Sequence, residues 1–348
     1  MTLPLEQRLR AYVDPWLKDF NVLGVAVHIT GDRPLPLFAG FADPEKKRPL
    51  SVESAFPAYS ASKSYIAAVV LRLAQDNLLG LDDPLRRWLP DLPFDKPVTL
   101  RQLLNHTSGL PDYRALNSHK AGMAQSPSAP WDEPRFLEAV FAEKFLFEPG
   151  TAWLYSGTGY LLLRKAAEAA ARRPFSQLLS EQVLEPLRLR RTFLLNGPAD
   201  MRRLTPGYAR QFNPAGRPED VRAVFHPGWI AHGVVGAPLE ELNVFFDGLL
   251  NGRLLSPDFV SEMKKPVLIP FKHPFFASPG YGLGLRYYDD PRFGKIFGHG
   301  GEGPGFAGFS YYVEARKTLV SLYCNTDVRA RFLEKLMFQL LSVLHDLL

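Results

Sequence analysis

The chain has 348 residues, of which 46% are apolar, 12% aromatic and 22% charged. These proportions are typical of a folded globular protein of one large or two intertwined domains, and they exclude a disordered, collagenous or coiled-coil chain. The 41 Lys and Arg against 36 Asp and Glu leave a formal charge of +5, with no long run of like charge, so we expect no nucleic-acid partner.

Both ends of the chain combine strand patterns with one helical pattern. The predicted elements there are helices over residues 5–20 and 331–347, and strands over residues 24–30, 35–41, 282–288, 306–314 and 318–323. A turn at Gly31-Asp32 is expected to join the first two strands.

The middle of the chain has helical apolar spacing interrupted by proline-rich loops at residues 111–134 and 206–227. The helices predicted in this part cover residues 65–79, 100–105, 133–143, 159–172, 175–184 and 239–250. This arrangement predicts an α+β fold in which residues 1–62 and 255–348 form a sheet domain. Residues 63–254 form a mainly helical insertion, and the cleft between the two is the expected place for chemistry.

The cysteine and histidine patterns exclude several kinds of site. Cys324 is the single cysteine, so internal disulfides and cysteine-based zinc sites are excluded, and its apolar surroundings predict a buried, inert thiol. The eight histidines show no metal-ligand spacing, so we expect no metal. Glu6, Arg8 and Arg10 lie where a signal peptide would be apolar, and no window reaches a membrane span, so we expect a cytoplasmic protein without a membrane partner.

The best candidate nucleophile is Ser60. The sequence lacks a phosphate-binding G-x-x-x-x-G-K-[ST], an H-E-x-x-H and a G-x-S-x-G motif, but residues 60–63 read S-A-S-K. If a helix begins near Ser60, residues i and i+3 share one face, which brings the Lys63 amine beside the hydroxyl. Burial lowers a lysine pKa until the amine accepts a proton, and this activates the alcohol. A second match, S-E-M-K at Ser261, lies in a polar segment and is disfavoured because Ser60 opens a strongly apolar helix.

Two further segments are candidates for the same site. Residues 148–160 read E-P-G-T-A-W-L-Y-S-G-T-G-Y, and Tyr155 in this loop, if held near a lysine, would lose its proton more easily and act as a general base. Residues 298–305 read G-H-G-G-E-G-P-G, where glycines let backbone amides approach a substrate. Taken alone, Tyr155 is a packing residue and the second segment a glycine-rich turn.

Together and in this order, these segments resemble the serine β-lactamase and penicillin-binding-protein superfamily. The similarity is greatest to the branch with class C β-lactamases, D-Ala-D-Ala carboxypeptidases, D-aminopeptidases and the β-lactamase-like (family VIII) carboxylesterases. Further matches are L-D-D-P at residues 81–84, T-L-R-Q-L-L-N-H-T-S-G-L at 99–110 and G-P-G-F at 303–306. The matching segments extend over residues 56–325.

The resemblance implies a β-lactamase/transpeptidase-like fold and a role for each motif. By it, Ser60 is acylated, Lys63 assists proton transfer, and Tyr155 acts as base and acid.

The third motif of the family corresponds to His299 and Gly301 on a strand that borders the site. By the same resemblance, the oxyanion hole uses the backbone N–H groups of Ser60 and Glu302, and Gly300 lies in the same substrate-binding segment. Donors of this kind contribute ~3 kcal/mol each to lowering the barrier.

The sequence departs from the family at one position of the second motif. The family's Y-x-N reads Tyr155-Ser156-Gly157 here, so the asparagine side chain that would contact the lysine and a substrate amide is missing, although Gly157 is still expected at the substrate site. Residues 323–325 also read Y-x-N, but they follow the third motif in a predicted core strand and are not the counterpart. The missing amide argues against β-lactam or peptide substrates and affects ester cleavage less.

Four other residues leave alternatives open. We expect His106 to order its loop, with direct catalysis as the alternative, and His232 to be structural, with a place in the cleft as the alternative. Trp153 and Trp229 either shape an acyl pocket or belong to the core.

The sequence therefore predicts a cofactor-independent serine hydrolase that acts on small carboxylic esters by two-step acyl transfer. The enzymatic alternatives are a D-amino-acid peptidase or carboxypeptidase and a weak β-lactamase, so the expected partner is a small ester or amide substrate. A different class of function, a catalytically inactive ligand-binding homologue, is the rival suggested by Gly157. The oligomeric state is left open.

Overall fold

The computed structural model describes residues 3–31 and 34–346. Its helices are α1 Leu5–Asp19, α2 Ser62–Gln75, α3 Leu100–Leu104, α4 Asn117–Gln125, α5 Glu133–Phe141, α6 Gly157–Ala171, α7 Phe175–Leu179, α8 Glu185–Leu187, α9 Pro198–Met201, α10 Val221–Val224, α11 Leu239–Leu250, α12 Pro257–Lys264 and α13 Ala330–His345. Its strands are β1 Gly24–Ile29, β2 Leu35–Asp43, β3 Arg48–Pro49, β4 Ala55–Pro57, β5 Phe193–Leu195, β6 Tyr208–Ala209, β7 Glu219–Asp220, β8 Val234–Pro238, β9 Val267–Leu268, β10 Gly280–Tyr281, β11 Arg286–Asp290, β12 Gly294–Gly303, β13 Phe306–Val313 and β14 Thr318–Cys324.

A nine-stranded antiparallel sheet joins the two ends of the chain, in the order β3-β2-β1-β14-β13-β12-β11-β10-β9. β1 and β14, the first and last strands of the sequence, pair with each other inside this sheet, and Val27 lies opposite Leu322. The predicted α+β class is thereby confirmed.

Helices α1 and α13 cover one face of this sheet. The apolar residues of α13 recur at helical spacing, so Leu333, Leu336 and Leu340 share one side and are fully inaccessible to solvent. They pack in one cluster with Val25 of β1 and Val320 of β14.

The other face supports the helices of the middle segment. Helix α2 is apolar on nearly all sides and is buried over most of its length, as expected for a helix at the centre of a core. Tyr65 of α2 stacks on Phe245 of α11, and α11 lies against β14.

A second, three-stranded sheet, in the order β4-β8-β5, positions the segment that leads into α2. Next to β4, Ala58 N–H donates to the Val235 carbonyl at 2.7 Å, and the Ser62 hydroxyl accepts the Val235 N–H at 2.8 Å. Both bonds fix the short connection that carries Ser60.

Several predicted boundaries were wrong. Of the strand expected over residues 282–288, only residues 286–288 are extended, in β11, and residues 282–285 form the turn that follows β10. Gly284 in this turn has φ +81° and approaches α2 so closely that a Cβ there would stand 2.4 Å from Ala67 Cβ. The loop predicted over residues 111–134 contains α4, and the glycine-rich turn read from residues 298–305 alone belongs largely to strand β12. Of the predicted elements, Asp32 and Leu347 lie outside the described residues.

The division into a sheet domain and an inserted domain stays a prediction. The middle segment holds strands as well as helices, and Leu319 and Tyr323 of β14 share one core with Phe56 and Leu242. Within residues 3–31 and 34–346, none of the helices has the length and apolar character needed to cross a bilayer.

Candidate active site

Ser60 lies in a single tight helical turn, Tyr59–Ala61, that leads directly into α2, so the α-helix itself begins two residues later than Ser60. Tyr59 has φ +44°, a left-handed conformation that costs a non-glycine residue about 1–2 kcal/mol. Its buried hydroxyl donates to the Pro304 carbonyl at 2.7 Å and stabilises the strained turn. Strain of this kind is typical of a functional position.

Lys63 is fully buried in the first turn of α2. Its Nζ lies 3.2 Å from Nε2 of His232 and 4.9 Å from the centroid of the Tyr155 ring. Burial, the largest effect, and the positive charge of Arg114 hold the pKa of Lys63 well below its usual range, while Asp112 acts in the opposite direction. The amine form, which can accept a proton, is therefore favoured.

Tyr155 lies two residues before α6, and its hydroxyl is buried without a partner at ordinary hydrogen-bond length among the described residues. Burial raises the pKa of Tyr155; the Arg114 guanidinium, 5.2 Å from the ring centroid, and the hydroxyl of Ser60 lower it, but burial prevails. Burial therefore opposes the predicted loss of the Tyr155 proton, and of the pair, Lys63 has the pKa shifted toward proton acceptance. The role of Tyr155 as a base stays a prediction.

His106 orders the loop that carries Tyr155. It has φ +64°, its Nδ1 accepts the Ser156 N–H at 3.2 Å, and its carbonyl accepts the Leu154 N–H at 3.1 Å. Burial and the charge of Lys63 hold the pKa of His106 well below its usual range, so the ring is neutral.

Strand β12 lies directly against the turn that carries Ser60. A Cβ at Gly301 would stand 2.1 Å from the Ala58 carbonyl oxygen and 3.0 Å from Ser60 N, so only glycine permits this approach. Glu302 follows, with an exposed side chain whose carboxylate accepts the Ala330 N–H at 3.1 Å. This proximity supports the predicted donors, the amides of Ser60 and Glu302, whose role stays a prediction.

His299 and Gly300 lie in the same strand. The fully buried His299 ring has Nδ1 at 2.6 Å from the Gly300 carbonyl and Nε2 at 2.8 Å from the Tyr281 hydroxyl, and its centroid is 6.4 Å from that of Tyr155. Burial holds the pKa of His299 well below its usual range, so the ring is neutral. It borders the site with both nitrogens occupied, and its catalytic role stays a prediction. A Cβ at Gly300 would stand 2.3 Å from Phe309.

Gly157, the position of the missing asparagine, begins α6. A Cβ there would stand 2.9 Å from Cε1 of Tyr113 and 3.2 Å from Oδ1 of Asp112, so other side chains occupy its space. The Tyr113 hydroxyl lies 3.0 Å from Nδ1 of His232, whose Nε2 contacts Lys63. His232 therefore has the place in the site that the sequence left as its alternative.

Asp112 and Arg114 form an ion pair beside this group, with a shortest N–O distance of 2.5 Å. Burial acts to raise the pKa of Asp112, but the charge and hydrogen bonds of Arg114 outweigh it and the net pKa is lowered. Asp112 is thus ionised, and it partly balances the positive charge that Arg114 adds near Lys63.

A cavity of about 250 Å³ adjoins Tyr155. Its walls include the aromatic rings of Trp153, Phe271 and Tyr281, and the Arg286 guanidinium supplies a charge. Trp153 thus has a place from which it can shape a substrate pocket.

A second cavity, of about 490 Å³, extends from Arg114 to Glu302 and includes Met123 and Ile230. Two cavities, one at Tyr155 and one at Glu302, offer space for different parts of a substrate.

Other candidates lie outside the site. Trp229 is fully buried in a core cluster with Trp131, and its indole N–H donates to Ser126 O at 3.0 Å. Ser261 is exposed on α12. Asn325 is buried after β14 and donates to the carbonyls of residues 41, 42 and 206.

Asp112, Tyr113 and Arg114 were not predicted as site residues. They lie in the segment for which the sequence predicted only a proline-rich loop. The signal was present, because an acid, a phenol and a base occur in a row after Pro111, which follows the H-T-S-G-L match.

An antiparallel sheet flanked by helices, with a serine and a lysine at the start of a buried helix and a tyrosine facing them, defines a class of protein: the serine hydrolases of the β-lactamase and penicillin-binding-protein superfamily. The chain belongs to the Beta-lactamase family, whose model matches residues 6–343. The predicted resemblance is confirmed.

Two sequence relatives and one solved structure illustrate the range of similar proteins. The chain is 30% identical over 306 residues to penicillin-binding protein 4* of Bacillus subtilis (strain 168), covering 81% of this chain and 63% of that protein. It is 29% identical over 200 residues to esterase EstB of Burkholderia gladioli, covering 53% of this chain and 50% of that protein. The chain thus spans between a half and two thirds of the length of these relatives.

The structure of D-amino acid amidase from Ochrobactrum anthropi SV3 complexed with D-phenylalanine is similar with a TM-score of 0.85, 24% identity, and coverage of 98% of this chain and 99% of that one. This similarity confirms the predicted β-lactamase/transpeptidase-like fold.

Proposed function

We propose that the protein is a serine hydrolase that cleaves small carboxylic esters through an acyl-enzyme at Ser60. The observation that carries the proposal is the fully buried Lys63 amine, 4.9 Å from the Tyr155 ring, one helical turn from Ser60. A buried amine with a lowered pKa, a protonated phenol and a serine in one place are the groups that acyl transfer requires.

In the first step, Ser60 Oγ forms a bond to the ester carbonyl carbon while its proton passes to the Lys63 amine. The carbonyl oxygen becomes an oxyanion, which the N–H groups of Ser60 and Glu302 stabilise. As the bond from carbon to the alcohol oxygen breaks, the Tyr155 phenol donates its proton to the leaving alkoxide and regains one from the Lys63 ammonium. The contact between Ser60 and Tyr155 shortens in the reacting complex, as is common for catalytic hydrogen bonds.

In the second step, water attacks the acyl carbon, and the same groups carry its protons. The water proton passes to Lys63, the bond between Ser60 Oγ and the acyl carbon breaks, and Oγ takes a proton through Tyr155. The products are a carboxylic acid and free enzyme, and no cofactor takes part.

The preference for esters is supported by the second motif. Gly157 offers no side-chain amide, and Tyr113 fills the space beside it, so no side chain at this position can hydrogen-bond to a substrate amide. An ester needs no such partner.

The second candidate is hydrolysis of D-amino acid amides or peptides, which the relatives support as well as they support esters. The cavity walled by Trp153, Phe271 and Tyr281 fits an aromatic side chain, and the structural neighbour is a D-amino acid amidase complexed with D-phenylalanine. A weak β-lactamase activity is a further outcome to measure.

Covalent labelling tests the nucleophile. A fluorophosphonate is expected to add one phosphonyl mass to the wild type and to Ser261→Ala, but none to Ser60→Ala, with intact-protein mass spectrometry as the readout. Ser261 is the matched control because it has the same S-x-x-K pattern on an exposed helix. Ligand binding without labelling of Ser60 would instead support an inactive ligand-binding homologue.

A substrate series tests the preference. We expect kcat/KM to be highest for short-chain nitrophenyl esters, lower for D-alanine and D-phenylalanine nitroanilides and amides, and lowest for a chromogenic cephalosporin. A clear preference for the D-amino acid substrates would overturn the ester assignment but not the acyl-enzyme.

A further inference from the structure

The side-chain amine of Lys63 has one hydrogen-bond partner among the described residues, and this partner does not belong to any of the three motifs. The partner is Nε2 of His232, 3.2 Å from Nζ. His232 lies just before β8, far from Lys63 in the sequence, and both side chains are buried. An amine enclosed by protein takes its orientation from its hydrogen bonds, so His232 decides where the Lys63 nitrogen points.

The other nitrogen of the His232 ring is held as well. Nδ1 lies 3.0 Å from the hydroxyl of Tyr113, a fully buried residue whose backbone N–H donates to Thr158 Oγ1 at 3.1 Å. Burial holds the pKa of His232 well below its usual range and raises the pKa of Tyr113, so a neutral imidazole meets a protonated phenol.

The chemistry of Lys63 selects one tautomer of this imidazole. As an ammonium, Lys63 has only donors, and as a base it must keep its lone pair for the proton of Ser60. In both states it must donate an N–H to His232, so Nε2 must be the unprotonated nitrogen. The ring proton then resides on Nδ1 and is donated to the oxygen of Tyr113.

We propose that His232 is a positioning residue for Lys63, and that Tyr113 holds His232 in the Nδ1-protonated tautomer that this role requires. The inference rests on the proposed function, since it assigns Lys63 a proton-accepting role. It also explains Gly157: any side chain there would collide with Tyr113, 2.9 Å from the Cβ position, and displace the phenol that holds His232. The pair thus supplies Lys63 with a hydrogen-bond partner, which is the role that the resemblance assigns to the missing asparagine.

Two substitutions of similar size separate positioning from packing. His232→Gln keeps an acceptor oxygen near the place of Nε2, whereas His232→Leu fills the space without one. We expect kcat for a nitrophenyl ester to fall by roughly 10- to 100-fold in His232→Leu, with KM nearly unchanged, because the Lys63 amine loses the hydrogen bond that orients it. His232→Gln should restore kcat to within about threefold of wild type. Equal kcat in both variants would overturn the proposal.

Tyr113→Phe removes one hydroxyl and keeps the ring that fills the space beside Gly157. We expect kcat to fall by roughly 3- to 10-fold because the tautomer is no longer held. The double variant with His232→Leu should be no slower than His232→Leu alone, since both act through one contact. Additive losses would contradict a shared role.

A measurement without substrate distinguishes failure of this inference from failure of the proposed function. In protein labelled with ¹⁵N-histidine, His232 is expected to show a neutral ring with protonated Nδ1, and Lys63→Met should shift its Nε2 resonance. A proton on Nε2, or a resonance unchanged by Lys63→Met, would overturn the inference even in an active enzyme. If the spectrum is as expected but the protein cleaves no ester or amide, the proposed function is wrong, whereas the pairing of His232 with Lys63 is confirmed.

Discussion

The imidazole of His106 lies against the phenol ring of Tyr155, with 4.2 Å between the two ring centroids. The same imidazole accepts the N–H of Ser156, the residue that follows Tyr155. One side chain therefore supports both the ring of Tyr155 and the backbone that carries it.

Replacing His106 should impair catalysis through Tyr155. His106→Ala removes the ring contact and the acceptor, and it places alanine at φ +64°, so we expect kcat to fall by roughly 10-fold or more and stability to fall by about 1–2 kcal/mol. His106→Asn should be the milder variant, because asparagine tolerates the left-handed conformation. Ester kinetics and thermal unfolding measure both; a fully active His106→Ala would contradict this role.

Gly301→Ala tests the contact between β12 and the turn of Ser60. The added methyl group would stand 2.1 Å from the Ala58 carbonyl, so strand and turn must separate, and the acylation rate should fall by ~100-fold as the oxyanion donors move apart. Gly197→Ala is the matched control: its nearest neighbour would be His226 Nε2 at 3.7 Å, an ordinary contact. Rapid-mixing kinetics with a nitrophenyl ester give the acylation rate. Normal acylation by Gly301→Ala would show that the donors lie elsewhere.

The pH dependence of kcat/KM should report Lys63. Burial and the charge of Arg114 lower its pKa, so the amine form increases as pH rises through that lowered value. Burial raises the pKa of Tyr155, which keeps its proton over the same range. We therefore expect kcat/KM to rise from acid toward alkaline pH and then to level off, with Ser60→Ala as the blank for spontaneous hydrolysis. A flat profile between about pH 5 and 9 would exclude a titrating lysine as the base.

Glu334 should make a pH-dependent contribution to stability. The carboxylate of this α13 residue is buried, accepts hydrogen bonds from Tyr288 and Tyr311, and contacts His273 and Arg286. Burial acts to raise its pKa, but these partners outweigh it and the net pKa is lowered.

A lowered folded-state pKa means that the contribution is present above the unfolded value of about 4.3 and is lost as pH falls through the folded value. Glu334→Gln should reduce the free energy of unfolding by about 2 kcal/mol at pH 7 and by less at pH 3, as measured by urea denaturation. An equal loss at both pH values would show that the carboxylate charge contributes nothing.

The sequence indicated the fold class well because its signals are local and repeated. Helix α11 was predicted with the bounds that the structure has, Leu239–Leu250, since its apolar residues face one core at helical spacing. The strand predicted over residues 282–288 was wrong because Gly284 turns the chain to avoid Ala67, a residue more than two hundred positions away.

By itself, the sequence determined the family and predicted Ser60, Lys63 and Tyr155 as the catalytic residues, because motif spacing is a property of one chain segment at a time. The tertiary structure alone decided which groups surround the Lys63 amine. His232, Tyr113 and Arg114 come from distant segments, and burial sets the direction of each pKa, so neither contact nor charge could be read from spacing. From the sequence, Gly157 indicates only that the asparagine side chain of the motif is missing. The packing shows that Tyr113 occupies the space beside it.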